Sequence, residues 1–135
     1  MNEQALWVLD TNVLVSRLLS PGGTASRAVD RALESGVLLV SEATMEELES
    51  VLSRSRFDPF VSREARQQFV RLLGGVSRLI PITRRFSACR DPRDDKFLDV
   101  ALNGGARPIV TGDRDLLALH PFHTIPILNP AAFLA

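Results

Sequence analysis

Leu6-Trp7-Val8-Leu9-Asp10-Thr11-Asn12 is the stretch that decides the fold class. Four apolar residues without helical spacing read as a short buried strand, and the polar triplet that halts them reads as a helix start, with Asn12 as the expected cap. Val13 to Leu19 then ends in the turn Ser20-Pro21-Gly22-Gly23. Outward from there strand and helix alternate. A second helix starts at Thr24 or Ser26 and ends at Gly36; Val37–Val40 is a strand, and Ser41 caps a helix striped by Met45, Leu48, Val51 and Leu52. Ser62 caps another, with Ala65, Phe69, Leu72 and Leu73 on its apolar face and Gly74-Gly75 as its stop. Val76–Ile82 reads as a strand, Thr83 to Asp94 as an aperiodic Arg- and Asp-rich stretch, and Asp95 to about Asn103 as a helix. The strand Pro108–Val110, the turn Thr111-Gly112-Asp113, a short helix at Leu116–Leu119, the strand Ile125–Leu128 and a helical turn at Asn129-Pro130 complete the pattern.

Short apolar strands separated by helices imply a three-layer α/β/α sandwich around a mostly parallel sheet of about five strands, because parallel crossovers place helices on both faces. Nothing in the composition marks a second unit, so residues 1–135 read as a single domain. A chain of this length buries about 68% of the surface its unfolded form exposes, enough for a core of its own. Apolar residues at 45%, charged residues at 24%, 8 Gly and 8 Pro exclude a disordered, collagen-like or coiled-coil chain. The single cysteine, Cys89, excludes an intramolecular disulfide framework and any multi-cysteine metal site, and fits a reducing compartment. Met1 to Ala5 lacks the basic start of a signal peptide and no apolar run is long enough to span a membrane, so a cytoplasmic protein is expected. Sixteen basic residues balance sixteen acidic ones, so any charged partner must be held locally.

In an open parallel sheet, ligands bind beyond the carboxyl ends of the strands. Asp10 follows the first strand, Asp113 and Asp115 follow the penultimate one, and Asp94-Asp95 open the helix leading into it. Two like charges 4 Å apart repel by about 4 kcal/mol at an effective dielectric near 20, so acids gathered at one edge call for a neutralising cation. Oxygen donors of this kind suit Mg²⁺ or Mn²⁺. Taken singly, an Asp after a strand is more often a helix cap or turn residue than a ligand; it is the gathering of several at one sheet edge that favours a metal site. On the third helix, geometry does not choose among Glu47 and Glu49, which flank the apolar stripe, or Glu42 and Glu46.

Four pieces together resemble a PIN domain, of the bacterial and archaeal kind grouped as toxins of toxin–antitoxin pairs (VapC-like ribonucleases). They are Val8-Leu9-Asp10-Thr11-Asn12-Val13-Leu14; Ser41-Glu42 to Glu47-Leu48 with Val51-Leu52; Asp91-Pro92-Arg93-Asp94-Asp95-Lys96-Phe97-Leu98 through Ala101; and Ile109-Val110-Thr111-Gly112-Asp113-Arg114-Asp115-Leu116. The resemblance implies a metal-dependent ribonuclease whose acidic quartet falls on Asp10, Glu47, Asp95 and Asp113, with Mg²⁺ or Mn²⁺ as cofactor. It also implies an RNA substrate, a cognate antitoxin and a homodimer. It is the resemblance that selects Glu47. Asp94 competes with Asp95 for the metal or for the helix cap, and Asp99 lies one turn further along. Thr111 is expected to orient a carboxylate or a metal-bound water, Asp115 to contact the site or cap the short helix, and Asn12 to add a secondary contact.

Phosphate contacts near such a site would come from Arg54 and Arg56, or from Arg84, Arg85, Arg90 and Arg93; Phe57, Phe60 and Phe86 are interleaved, either to stack bases or to anchor loops. Three competing classes are weaker. A receiver-type phosphoacceptor wants a lysine after its last strand, where this chain has Asn129-Pro130. A haloacid dehalogenase-type phosphatase wants Asp-x-Asp where Asp10-Thr11-Asn12 stands. A noncatalytic PIN-like module that binds RNA or a partner does not need the full acid set that is present here.

Overall fold

The computed structural model describes residues 4–135. The expectation drawn from Met1–Glu3, that the chain opens without a signal peptide, lies outside them. In chain order the elements are β1 (Ala5–Leu9), α1 (Thr11–Leu19), α2 (Thr24–Ser35), β2 (Gly36–Val40), α3 (Glu42–Leu52), α4 (Arg63–Val76), β3 (Arg78–Leu79), α5 (Asp95–Gly104), β4 (Ile109–Val110), α6 (Arg114–Leu117), β5 (Ile127–Leu128) and α7 (Pro130–Leu134). The strands pair in the order β3-β2-β1-β4-β5, and every pairing is parallel. The sheet is thus the five-stranded centre of an α/β/α sandwich, as its strand pattern implies. The order differs from the 2-1-3-4-5 of receiver domains, which removes that alternative on topology.

Strand residues alternate between two cores because successive side chains point to opposite faces. Leu9, Leu38, Val40 and Val110 join Val13, Leu14, Val29, Leu48 and Leu52 of α1, α2 and α3 in one core. Val8, Leu39, Ile109 and Ile127 join Phe97, Leu98, Val100 and Ala101 of α5 in the other. Trp7 fastens β1 to α2 by donating from Nε1 to the Ala32 carbonyl at 2.9 Å, and its ring packs edge-on against Phe133 of α7.

At Gly36 the chain enters β2 so close to β1 that an added Cβ would sit 2.4 Å from the Ala5 carbonyl oxygen. Gly105 closes α5 in the left-handed region at φ 71°, where a side chain costs most.

Several boundaries differ from the sequence pattern: α6 spans Arg114–Leu117 in place of Leu116–Leu119, and β5 is only Ile127–Leu128, Ile125 being bridged to Phe122 instead. α4 runs through Gly74-Gly75 to Val76 and stops at Ser77, whose N–H and Oγ both donate to the Leu73 carbonyl. β3 is consequently a two-residue edge strand, paired to Leu39 and Val40. The cap of α1 is Asp10, not Asn12: its carboxylate accepts from the Val13 amide at 3.0 Å, and Asn12 is exposed within the first turn.

Candidate active site

The strand order reverses between β1 and β4: from β1 the chain works outward through β2 and β3, then crosses to β4 on the other side. That reversal opens a crevice beyond the carboxyl ends of β1 and β4. Asp10 leaves β1 and Thr111-Gly112-Asp113 leaves β4 directly into it. Asp10 is 5% exposed. Thr111, fully buried, donates its hydroxyl to Asp10 Oδ2, and Asp10 Oδ1 holds the Val13 amide. Burial pushes the Asp10 carboxyl above its ordinary value against those hydrogen bonds, and the neighbouring Asp113 charge pushes the same way. Asp113 repeats the design on α6: its Oδ2 accepts from the Leu116 amide at 3.1 Å while its own N–H donates to Thr111 Oγ1 at 3.0 Å. Asp113 is therefore the α6 cap, and Asp115, open to Asx-type capping in the sequence, is exposed in the first turn.

Glu47 arrives from α3. It is half-buried where Glu42, Glu46 and Glu49 are exposed, so packing separates the residue that geometry in the sequence left open. Lys96 Nζ lies 2.9 Å from its Oε1, and Thr11 donates its hydroxyl to Oε2. Neither Lys96 nor Thr11 was marked as a site residue by its sequence, although both adjoin marked acids.

The two adjacent acids at the start of α5 part company. Asp94 turns toward the crevice, where burial and then the charges of Asp113, Asp91, Glu47 and Asp10 push its carboxyl up to about 6. Asp95, 8% exposed, points its Oδ1 at the preceding loop and accepts from the Ala88 and Cys89 amides at 3.0 and 2.8 Å. Burial works against its ionisation, but those amides outweigh it and hold the carboxyl below the ordinary value. Both amides fall on Oδ1, and the Cys89 thiol is a further hydrogen-bond partner of the same carboxylate. Asp99, equally buried, accepts from the Phe86 amide at 2.7 Å. With Ser41, Arg85 and Lys96, these two acids line a cavity of about 360 Å³ under the loop. The Cys89 thiol is pushed up to about 12, by burial first and then by Asp95, Asp94 and Asp113. The loop therefore meets the acidic edge at Cys89.

Among the described residues, no three His, Cys, Asp or Glu side chains form a ready-made ion cage. The carboxylates share the crevice but are separately engaged. The donor set nevertheless suits a hard divalent cation in kind, being all oxygen, crowded with like charge and raised in pKa at Asp10 and Asp94.

The arginines marked for RNA are dispersed. Arg54 and Arg56 follow the far end of α3, a helix length of about 16 Å from the strand edge where Ser41 begins it. Arg56 lies over the Phe57 ring at 4.8 Å, and the Arg54 carbonyl accepts from Arg66. Arg93 forks onto Asp91, while Arg90 is exposed and forms no ion pair among the described residues. His120 accepts the Ile127 amide on Nδ1, and His123 packs on Phe86 and Phe122.

A parallel sheet whose switch point carries acids from β1, β4 and two helices defines the class, and the family follows. The chain belongs to the PIN domain family, whose model matches residues 7–115. It is 31% identical over 114 residues to the uncharacterized protein MJ1680 of Methanocaldococcus jannaschii, covering 83% of this chain and 73% of that one. Solved structures share the fold at low identity. VapBC2 of Rickettsia felis, solved bound to a fragment of its promoter DNA, superposes with TM-score 0.64 at 13% identity, covering 92% of this chain and 98% of that one. PAE2754 of Pyrobaculum aerophilum gives 0.61 at 16% over 96% and 87%. VapC20 of Mycobacterium tuberculosis, described as a toxin that cleaves the sarcin–ricin loop, gives 0.56 at 16% over 89% and 98%.

Proposed function

We propose that the chain is a metal-dependent endoribonuclease, the toxin of a type II toxin–antitoxin pair acting in the cytoplasm. The observation that carries this is the buried Asp10 at the switch point, coupled to Asp113 and Asp94, with Glu47 acting on Asp94 as well. Asp10 and Asp113 would hold Mg²⁺ or Mn²⁺ directly, joined by Asp94 and Asp95. Such a cation, when bound, activates a water and neutralises charge on a phosphodiester. The chain's own part is orientation. Thr111 fixes the rotamer of Asp10 and, through the Asp113 amide, the turn that carries the second acid. Lys96 and Thr11 hold Glu47 at the rim, where its charge adds to the pull on a cation or steadies a bound water. His120 is engaged by the Ile127 amide and His123 by Phe86 and Phe122, so a metal-activated water is the nucleophile expected, giving 5′-phosphate and 3′-hydroxyl ends.

The likeness to VapC20 and VapBC2 supports an RNA substrate and an antitoxin partner, and a homodimer completes the proposal. One observation favours a noncatalytic RNA- or partner-binding module instead: both oxygens of Glu47 and of Asp10 already have protein partners. A single assay separates the two. Single-stranded RNA is incubated with wild type plus Mg²⁺ or Mn²⁺, with wild type plus chelator, and with Asp10→Asn plus metal. Cleavage only in the first supports the nuclease; equal signal in all three, or cyclic-phosphate ends, rejects it.

A further inference from the structure

Asp95, Asp99 and Asn103 stand four residues apart on α5, so they form one row about 12 Å long on a single helix face. Each of them holds backbone of the loop before the helix. Asn103 Oδ1 accepts from the Thr83 and Arg84 amides, both at 3.1 Å, and its Nδ2 donates to the Arg84 carbonyl at 2.7 Å. Asp99 takes the Phe86 amide, and Asp95 takes those of Ala88 and Cys89. An irregular loop is thereby laid along the helix in register, without any secondary structure of its own.

The strapped backbone leaves its cations exposed, Arg85 at the mouth of the cavity beside Asp99. Arg84, Arg85 and Arg90 are exposed, and none forms an ion pair among the described residues. Arg84 lies 5.3 Å over the Phe86 ring, which packs edge-on against Phe122 and His123, so the far end of the loop is braced as well. At its other end Cys89 abuts the acidic edge.

We infer that residues 83–90 form a preformed phosphate-binding ridge that leads single-stranded RNA into the acidic edge, with Asp99 and Asn103 as its positioning residues. This rests on the nuclease reading and names how that site takes its substrate. An edge of gathered carboxylates repels a polyanion, and a neutral chain has no global field to overcome this, so cations must be fixed beside it. Backbone that is already ordered also loses less entropy when a strand docks.

The test measures binding of a fluorescently labelled single-stranded RNA to Asp10→Asn protein in chelator, across a salt series, so that cleavage plays no part. Replacing Arg84, Arg85 and Arg90 together with alanine is expected to weaken binding and to flatten the slope of log K against log salt by roughly 2, about 0.7 per lost phosphate contact. Lysines at the three positions restore the slope. Asn103→Ala is expected to speed amide exchange at Thr83 and Arg84 and to raise KM more than it lowers kcat. An unchanged RNA affinity and slope in the alanine variant overturns the ridge, including the case in which the loop serves a protein instead. Wild-type cleavage, scored separately, reports on the nuclease reading whichever way the binding falls.

Discussion

Asp10 and Asp113 each give one oxygen to a helix N-terminus and still stand at the crevice. The two duties can be separated, because an amide still accepts the capping hydrogen bond. Asp10→Asn is expected to keep its melting temperature within a few degrees while RNA cleavage falls roughly 100-fold or more, about 3 kcal/mol of lost transition-state stabilisation. Asp95 divides in the same way. Asparagine there can hold the Ala88 and Cys89 amides, so Asp95→Asn is expected to lose cleavage with RNA affinity kept, and Asp95→Ala to lose both. Wild-type cleavage by Asp95→Asn would leave Asp95 a tether alone and give its ligand place to Asp94. For Asp94 the folded carboxyl sits at about 6 against an ordinary 3.8, through burial and then its acidic neighbours, so the folded state favours the proton. Its contribution to stability is present below about pH 4 and is lost as pH rises through 6. Melting in chelator should therefore weaken across that window, and Asp94→Asn should remove the step. Asp10 and Asp113 were legible because Asp10 directly follows an apolar strand and Asp113 closes the short turn after another. The partners of Glu47 were not, since Thr11 and Lys96 lie 36 and 49 residues away and only the packing of α3 beside α1 and α5 brings them together.

At the scale of elements, the α3–α4 corner depends on one buried cation. Arg66 is 2% exposed; it donates to the Leu52 and Arg54 carbonyls at 2.8 and 3.1 Å and lies 2.5 Å from Asp58 Oδ1. Arg66→Met strands the carbonyls that end α3 and is expected to cost about 3 kcal/mol, read as a lowered denaturation midpoint in urea with unchanged slope. The exposed Asp58 adds little of that. Strands β1 and β2 were readable from runs of apolar residues buried on both faces. β3 was overdrawn because an edge pairing of two residues, Arg78 and Leu79, leaves no periodicity to detect. The row on α5 was hidden for a different reason: Asp95, Asp99 and Asn103 bind backbone amides of an aperiodic loop, and no side-chain pattern records such partners.

For the molecule as a whole, the sheet order puts β1 and β4 side by side although about 100 residues separate them, and Asp10 and the Thr111–Asp113 turn meet at their carboxyl ends. Close packing makes that register demanding. Gly36→Ala would drive a Cβ into the Ala5 carbonyl and the Trp7 ring, and is expected to lower stability by several kcal/mol, seen as loss of the cooperative thermal transition or a large fall in its midpoint. Among the described residues Asp10, Asp94 and Asp113 form no salt bridge, whereas Glu47 has Lys96 and Asp91 has Arg93, and a divalent cation would relieve the crowding of the first three. The most direct test is calorimetric titration of Mn²⁺ into wild-type protein and Asp10→Asn near neutral pH. Saturable binding by the wild type, weakened at least tenfold by the substitution, is the expected result; no binding, or the same binding in both, would contradict a metal held at the end of β1.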